Sequence, residues 1–326
     1  MPKGLNEILA QKTHRLRVPF AVHLELTHSC NLECVHCFHR GFRNDKRQEL
    51  TTGEWKNIMA ELKNQGTMFL IITGGEPFLR EDILRLLRYA SRVPFSIMLF
   101  SNGLFIDEKK AKFIASLNPF AVHISLYSLQ KEIHEKITGR PGSFEKTMNA
   151  IDLLKEKEVN TVIKCPLMKE NFNHIDKLKK WSDKKDITLK IDPVISPCYE
   201  KNCTDIIEHR LDLDSMSDMV FDSGIFDIKD FRSRKNLECG AGRNMVTVDS
   251  VGRVYPCVAW RKPAGNLRKE EFIDIWKKME PDYDVIESCK NCSLLPYCGV
   301  CPGVAEAEGK EMFCDMSRKL IKRPEI

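Results

Sequence analysis

The sequence predicts an α/β chain, a partial (β/α)6 barrel of the TIM type followed by a small, loop-rich domain held by metal more than by an apolar core. Three observations predict it. Six short apolar or alternating runs are each followed by stretches with Leu, Ile and Met at helical spacing, a pattern that demands parallel strands with right-handed crossovers. The repeat stops after Asp192. Seven of the chain's thirteen cysteines then crowd between Cys239 and Cys314.

The strands are expected at 20–26, 69–73, 95–101, 121–126, 160–165 and 188–192, where β-branched and aromatic residues concentrate between turn residues. Helices are expected over 52–64, 81–91, 107–117, 131–138, 143–156 and 173–183. The first of them is announced by a capping box, Thr51 with Glu54 three residues on. Residues 1–17 read as a polar, basic extension, 18–192 as the barrel, 193–238 as an acidic, aperiodic connection, 239–316 as the cysteine-rich domain and 317–326 as a tail. Within the cysteine-rich domain one short helix is expected at 269–278 and loops elsewhere.

Composition narrows the function classes. The net charge of +5 is small against 51 basic and 46 acidic residues interspersed along the chain, the pattern of a solvated surface and not of a nucleic-acid binder. No segment approaches the roughly 18 apolar residues of a membrane span. Thirteen cysteines without a signal peptide point to metal and redox chemistry in a reducing compartment, so the expected location is the cytoplasm.

The densest chemistry is Cys30-Asn31-Leu32-Glu33-Cys34-Val35-His36-Cys37, directly after the first strand. Three thiols on one short loop can converge on one inorganic centre and leave a coordination position free for a substrate or cofactor. A zinc site completed by His28, His36 or His39 is the alternative reading of the same loop. Gly74-Gly75-Glu76-Pro77 directly follows the second strand. In β/α sheets the loops after the strands' C-terminal ends meet on one face, so both motifs land at one mouth.

Together these two loops resemble the radical S-adenosylmethionine (SAM) superfamily. The resemblance implies that Cys30, Cys34 and Cys37 hold a [4Fe-4S] cluster whose open iron is chelated by SAM. It implies also that Gly74, Gly75, Glu76 and Pro77 receive the SAM amino group, that His36 lies near the adenine, and that Asn102 and Ser125 contact ribose or methionine. The two glycines suit a backbone that must approach a ligand closely, and Glu76 can accept charge-assisted hydrogen bonds from the ligand's amino group. Arg140 falls in another segment that recurs in the family, and Cys165, at a strand end, reads as buried.

The C-terminal cysteines resemble the SPASM extension found on part of this superfamily, which holds two auxiliary [4Fe-4S] clusters. Carried over by position, Cys239, Cys257 and Cys301 bind the first, and Cys289, Cys292, Cys298 and Cys314 the second. Two residues separate Cys298 from Cys301 where the family commonly has three, and the first auxiliary site has three ligands in view. Cys198 and Cys203 are candidates for its fourth ligand or for a hydrogen donor to a substrate radical, as in epimerising relatives. A pair of zinc knuckles is the alternative for this domain.

The resemblance implies reductive cleavage of SAM to a 5'-deoxyadenosyl radical that takes hydrogen from a peptide or protein side chain, giving a crosslink, an oxidation or an epimerisation. A ferredoxin or flavodoxin would supply electrons. Only 29 residues precede Cys30, which leads to the expectation of a separate peptide-delivery protein or a substrate without a leader. Tetrapyrrole side-chain decarboxylation, sulfatase-activating oxidation, and a non-catalytic iron-sulfur or zinc module are the alternatives.

Overall fold

The computed structural model describes residues 5–42, 47–192, 195–198, 204–212, 215, 239–279 and 301–308. Cys203, Cys289, Cys292, Cys298 and Cys314 lie outside the described residues.

Nine strands form one sheet in the order β6-β5-β4-β3-β2-β1-β7-β8-β9. The first six are β1 (Ala21–Glu25), β2 (Phe69–Thr73), β3 (Ser96–Ser101), β4 (Ala121–Ser125), β5 (Thr161–Pro166) and β6 (Thr188–Asp192). All pair in parallel with their sequence neighbours. Helices cross between them: α2 (Thr52–Asn64), α3 (Ile83–Ser91), α4 (Glu108–Ser116), the pair α5 (Lys131–Thr138) and α6 (Ser143–Glu156), and α7 (Ile175–Lys184). The sheet does not close, because β6 is one of its edges. The six β/α units read from the sequence are therefore a partial barrel.

Alternation along each strand decides which face is which. Val22, Leu24, Leu70, Ile72, Ile97, Leu99, Val122, Ile124, Ile163 and Cys165 belong to one core shared with Trp55 and Met59 of α2, Leu86 and Leu87 of α3, and Ile151 and Leu154 of α6. The intervening residues line the inner, concave face. Its floor is apolar: Phe20, Phe69 and Ile71 are buried, with Met98 and Phe100 packed against them.

The capping box is present. The Thr51 amide donates to Glu54 Oε2 at 2.7 Å and the Glu54 amide to Thr51 Oγ1 at 3.3 Å. Residues 5–16, read from sequence as part of a polar extension, instead form helix α1 (Leu5–Leu16). Tertiary contacts hold it: Leu9 packs on the Phe20 and Phe69 floor, Asn244 Nδ2 donates to the Ala10 carbonyl at 2.9 Å, and His14 Nε2 lies 3.0 Å from the Cys239 carbonyl.

The cysteine-rich segment is more regular than its spacing suggested. Strand β7 (Met245–Val248) pairs in parallel with β1, placing Val246 beside Val22, and β8 (Arg253–Tyr255) and β9 (Gly265–Asn266) add antiparallel neighbours. Helix α8 (Phe272–Lys278) occupies the expected helical stretch and sends Phe272 and Ile275 into the barrel core. A second short helix, α9 (Pro302–Glu308), begins just after Cys301. The barrel and the start of the cysteine-rich segment thus share one sheet and one apolar core.

Candidate active site

The loop after β1 and the loop after β2 are zipped together beyond the ends of their strands. The Gly75 amide donates to the Thr27 carbonyl at 2.7 Å and the Glu76 amide to the Ser29 carbonyl at 2.8 Å. A Cβ on Gly74, whose φ is +134°, would stand 2.5 Å from the Thr27 carbonyl oxygen, and one on Gly75 would stand 2.2 Å from that of Ser29. Glycine is therefore required here by the backbone of the cysteine loop itself, a nearer constraint than the ligand approach invoked from sequence. The far side of the cysteine loop is tied down as well. The Glu33 and Val35 amides donate to the Thr138 and Ile137 carbonyls at 2.9 and 3.0 Å, and Arg140 Nη1 to the Asn31 carbonyl at 2.7 Å. Arg140 is thus a positioning residue for this loop.

Glu76 is fully buried. Its carboxylate accepts from the Phe78 amide at 3.1 Å, the Asn102 amide at 2.8 Å and the Ser101 hydroxyl at 2.9 Å. Burial pushes the carboxyl up to about 7 against these hydrogen bonds, and among the described residues no Lys, Arg or His pairs with it. Asn102, expected to face ribose, uses its side chain locally: Nδ2 donates to Asn31 Oδ1 at 2.8 Å and Oδ1 accepts from the Leu104 amide at 3.0 Å. The buried Asn31 Nδ2 and His36 Nδ1 have no hydrogen-bond partner.

An apolar cluster packs around the three thiols. Cys34, Leu32, Tyr127, Ile137, Met168, Ile195 and Ile206 are its buried members, with Cys30, Cys37 and Cys198 packed against them. Cys198 therefore sits with the first cysteine loop. Tyr127 places its hydroxyl 3.9 Å from Cys34 Sγ and within a hydrogen bond of Ser125, and the His36 ring meets its face edge-on at 4.9 Å. Burial, then the neighbouring Cys34, pushes the Tyr127 hydroxyl well above its ordinary value. Burial first, then the nearby His209 and Arg40 charges, brings His36 down to about 4, so its ring is neutral at physiological pH. Cys165 is fully buried beneath this cluster, as read from sequence, with its thiol pushed up to about 12.

Beside this cluster lies a buried charge network that sequence spacing did not reveal. Arg261 clamps the Glu25 carboxylate with both terminal nitrogens, Nη1 at 2.8 Å from Oε2 and Nη2 on Oε1, while His39 Nε2 is 3.3 Å from Oε1. Burial raises Glu25, but Arg261 and His39 outweigh it and hold the carboxyl far below the usual range. The Arg261 guanidinium also lies against the rings of Tyr255, Phe38 and Phe42 at 5.1, 5.7 and 5.7 Å.

At the end of this network stands the second cysteine set. Cys257, with Ala241 and Trp260, forms a small buried cluster against which Cys239 packs, and Cys301 lies close enough to both thiols to disfavour their ionisation. Burial first, then Cys301 and Cys239, pushes the Cys257 thiol up to about 12. Helix α9 packs here, since a Cβ on Gly303 would meet the Ala259 carbonyl oxygen at 2.3 Å. Cys37, Cys165, Cys198, Cys239, Cys257 and Cys301 form no disulfide among the described residues. Among the described residues no three His, Cys, Asp or Glu side chains converge tightly enough for a single metal ion.

Comparison with known proteins matches residues 24–182 to the Radical SAM superfamily and residues 239–302 to SPASM, described as an iron-sulfur cluster-binding domain. The chain belongs to the radical SAM superfamily and carries a SPASM domain. It is therefore an enzyme that works with SAM and [4Fe-4S] clusters. It is 26% identical over 316 residues to the AdoMet-dependent heme synthase of Methanosarcina barkeri, covering 87% of this chain and 90% of that one. To the mycofactocin maturase MftC of Mycolicibacterium smegmatis it is 26% identical over 315 residues, covering 89% and 80%. The solved structure of native anSMEcpe with bound AdoMet and Cp18Cys peptide superposes with a TM-score of 0.69 at 20% identity, covering 92% of this chain and 95% of that one.

The residues present fit a radical SAM site. A buried carboxylate without a cationic partner is costly unless a donor reaches it, and the SAM amino group is such a donor. The unpartnered Asn31 Nδ2, inside the cysteine loop, is a second free polar group for a ligand with acceptor oxygens. Asn31, Tyr127, Glu25 and Arg261 were missed from sequence, and His39 was read only as an alternative zinc ligand. Only Asn31, which sits between two motif positions, carried a local signal.

Proposed function

We propose that this enzyme modifies a peptide or protein side chain, leaving a crosslink, an oxidation or an epimerised centre. The observation that carries the reading is the unclosed sheet. Among the described residues no strand pairs with the outer side of β6, and Thr188, Lys190 and Asp192 are exposed on the face opposite its core residues Leu189 and Ile191, so β6 offers the concave face beside the cysteine loop a strand edge for an extended substrate. The peptide maturase MftC and the peptide-bound anSMEcpe support it.

In this reading Cys30, Cys34 and Cys37 hold the first cluster, Cys239, Cys257 and Cys301 the first auxiliary cluster, and Cys289, Cys292, Cys298 and Cys314 the second. When bound, the reduced first cluster and SAM supply the 5'-deoxyadenosyl radical that abstracts hydrogen from substrate carbon. The chain's own residues bind, orient and exclude water. Glu76 accepts from the SAM amino group, Gly74, Gly75 and Pro77 set the loop that presents it, and Ser125 and His36 line the pocket. Asn102 steadies the cysteine loop through Asn31, and Leu32, Met168, Ile195 and Ile206 keep water from the reacting atoms. Cys198, packed beside the first cysteine loop, is placed to return a hydrogen atom to a substrate radical.

Among the described residues no helix is long and apolar enough to cross a membrane. The proposed setting is the cytoplasm, with a ferredoxin or flavodoxin as electron donor, a separate peptide-delivery protein, and 18–192 and 239–316 as the two functional units.

The test is anaerobic turnover with SAM and the short peptides encoded beside the gene, followed by mass measurement. Loss of two hydrogens identifies crosslink or oxidation, and unchanged mass with solvent deuterium incorporated identifies epimerisation. If no such peptide changes while a tetrapyrrole loses carbon dioxide, the peptide reading fails and the decarboxylase reading, which the similarity to the heme synthase favours, replaces it.

A further inference from the structure

The inner face of the partial barrel carries two lysines side by side, with no anion between them among the described residues. Ile163 and Cys165 of β5, and Leu189 and Ile191 of β6, face the main core. Lys164 and Lys190 therefore project to the opposite, concave side, where Lys164 is half-buried and Lys190 exposed. They are register partners on adjacent parallel strands, so their backbones run about 5 Å apart. Like charges directly opposite each other on a sheet are destabilising. Among the described residues neither lysine makes an ion pair, although Glu and Asp are abundant elsewhere on the surface.

Their position matters as much as their charge. Lys164 is also the register partner of Ser125 on β4, the strand end that leads to Tyr127 and the cysteine loop. On the same face His123, stacked on Phe100 at 4.3 Å, feels both lysines and is held neutral, chiefly by burial, at about 4. Asp192, two residues beyond Lys190 toward the mouth, is already engaged in other contacts. Floor and wall thus combine an apolar patch, a neutral imidazole and a double positive charge that no described residue pairs with, one strand away from Tyr127 and the first cysteine loop.

We propose that Lys164 and Lys190 together form a carboxylate-recognition site that orients an acidic group of the substrate beside the reacting carbon. The inference rests on the peptide reading for its occupant, a Glu or Asp side chain of the peptide, but the recognised chemistry is the carboxylate itself. A tetrapyrrole propionate or the SAM carboxylate would present the same group, and the experiment separates these sources.

The probes are acetyl-Ala-Ala-Glu-Ala-Ala-amide, its Gln and Lys counterparts, the tetracarboxylate coproporphyrin III, and SAM. Their binding to the reconstituted holoenzyme is measured by anaerobic equilibrium dialysis, for wild type, K164Q/K190Q and K164E/K190E. Iron content and circular dichroism check that each variant is folded. Wild type is expected to prefer the Glu to the Gln peptide by about tenfold, K164Q/K190Q to lose that preference, and K164E/K190E to prefer the Lys peptide. Equal binding of the Glu and Gln peptides to wild type, with no lysine-dependent porphyrin binding, overturns the carboxylate site while leaving the peptide reading intact. Lysine-dependent binding of coproporphyrin III without peptide discrimination keeps the carboxylate site and overturns the peptide reading. A lysine-dependent change confined to SAM overturns the substrate assignment.

Discussion

Replacing Glu76 by Gln isolates a carboxylate that, among the described residues, stands buried without a cation. In the wild type both oxygens take backbone or hydroxyl donors and retain capacity for the SAM amino group. Loss of a hydrogen bond to a charged group removes about 1.5–3 kcal/mol, roughly a ten- to hundredfold rise in the SAM dissociation constant. The pH dependence follows from the raised value. Unfolded, the carboxyl ionises in the ordinary range; folded and unliganded, it keeps its proton up to about 7. Between those limits ionisation favours the unfolded chain, and a donor seated on the carboxylate must displace the proton. Wild-type affinity for SAM should therefore strengthen about tenfold from near pH 6 to near pH 7.5, while E76Q shows little of that slope. Gln also misplaces an amide NH2 against the Asn102 or Phe78 amide, so anaerobic titration calorimetry should include 5'-methylthioadenosine, which lacks the amino acid portion. Equal weakening of both ligands, or a pH slope that survives in E76Q, would refute the reasoning.

Gly75→Ala should lose most of its first-cluster iron, measured per mole after reconstitution, because its Cβ would stand 2.2 Å from the Ser29 carbonyl oxygen next to Cys30. Arg261→Met leaves Glu25 buried with His39 alone beside it among the described residues, at a cost of about 3–5 kcal/mol. Its thermal unfolding midpoint should drop by about 4–7 °C, with much of the loss recovered in an E25L/R261M double variant. In the folded protein Cys165 should resist iodoacetamide, read by peptide mass mapping, since burial holds its thiol up to about 12. C198A should retain first-cluster iron but lose solvent-deuterium incorporation if the product is an epimer, and unchanged incorporation would remove Cys198 as the hydrogen donor.

What was legible in the sequence is what local periodicity encodes. All six barrel strands and six crossover helices were placed within about two residues, because period-2 and period-3.6 apolar patterns are properties of contiguous residues. The three-cysteine loop and Gly74 to Pro77 were legible for the same reason, being short, ordered and attached to strand ends. Helix α1 was not, since its sequence is polar around most of its circumference and its order comes from Leu9, Ala10 and His14 meeting residues far along the chain. The pairing of β7 with β1 was equally hidden, because it joins residues more than two hundred positions apart and β7 is only four residues long. Glu25 and Arg261, separated by 236 positions, leave no spacing to read.

That long-range pairing gives the two cysteine sets a fixed relation. Cys37 is followed two residues later by His39, which contacts Glu25, and Cys257 is followed four residues later by Arg261, which clamps the same carboxylate. Glu25 is the last residue of β1, whose neighbour β7 feeds the β7 to β8 hairpin that leads into Cys257. One buried anion is therefore held simultaneously by the segment leaving the first cysteine loop and by the segment leaving the second. Neither segment can shift without uncovering a charge in an apolar setting, where an unpaired carboxylate costs several kcal/mol. A hydrophobic pair of similar volume would bind the two segments as strongly but would tolerate sliding. The bidentate guanidinium fixes the orientation of the two segments as well as their contact.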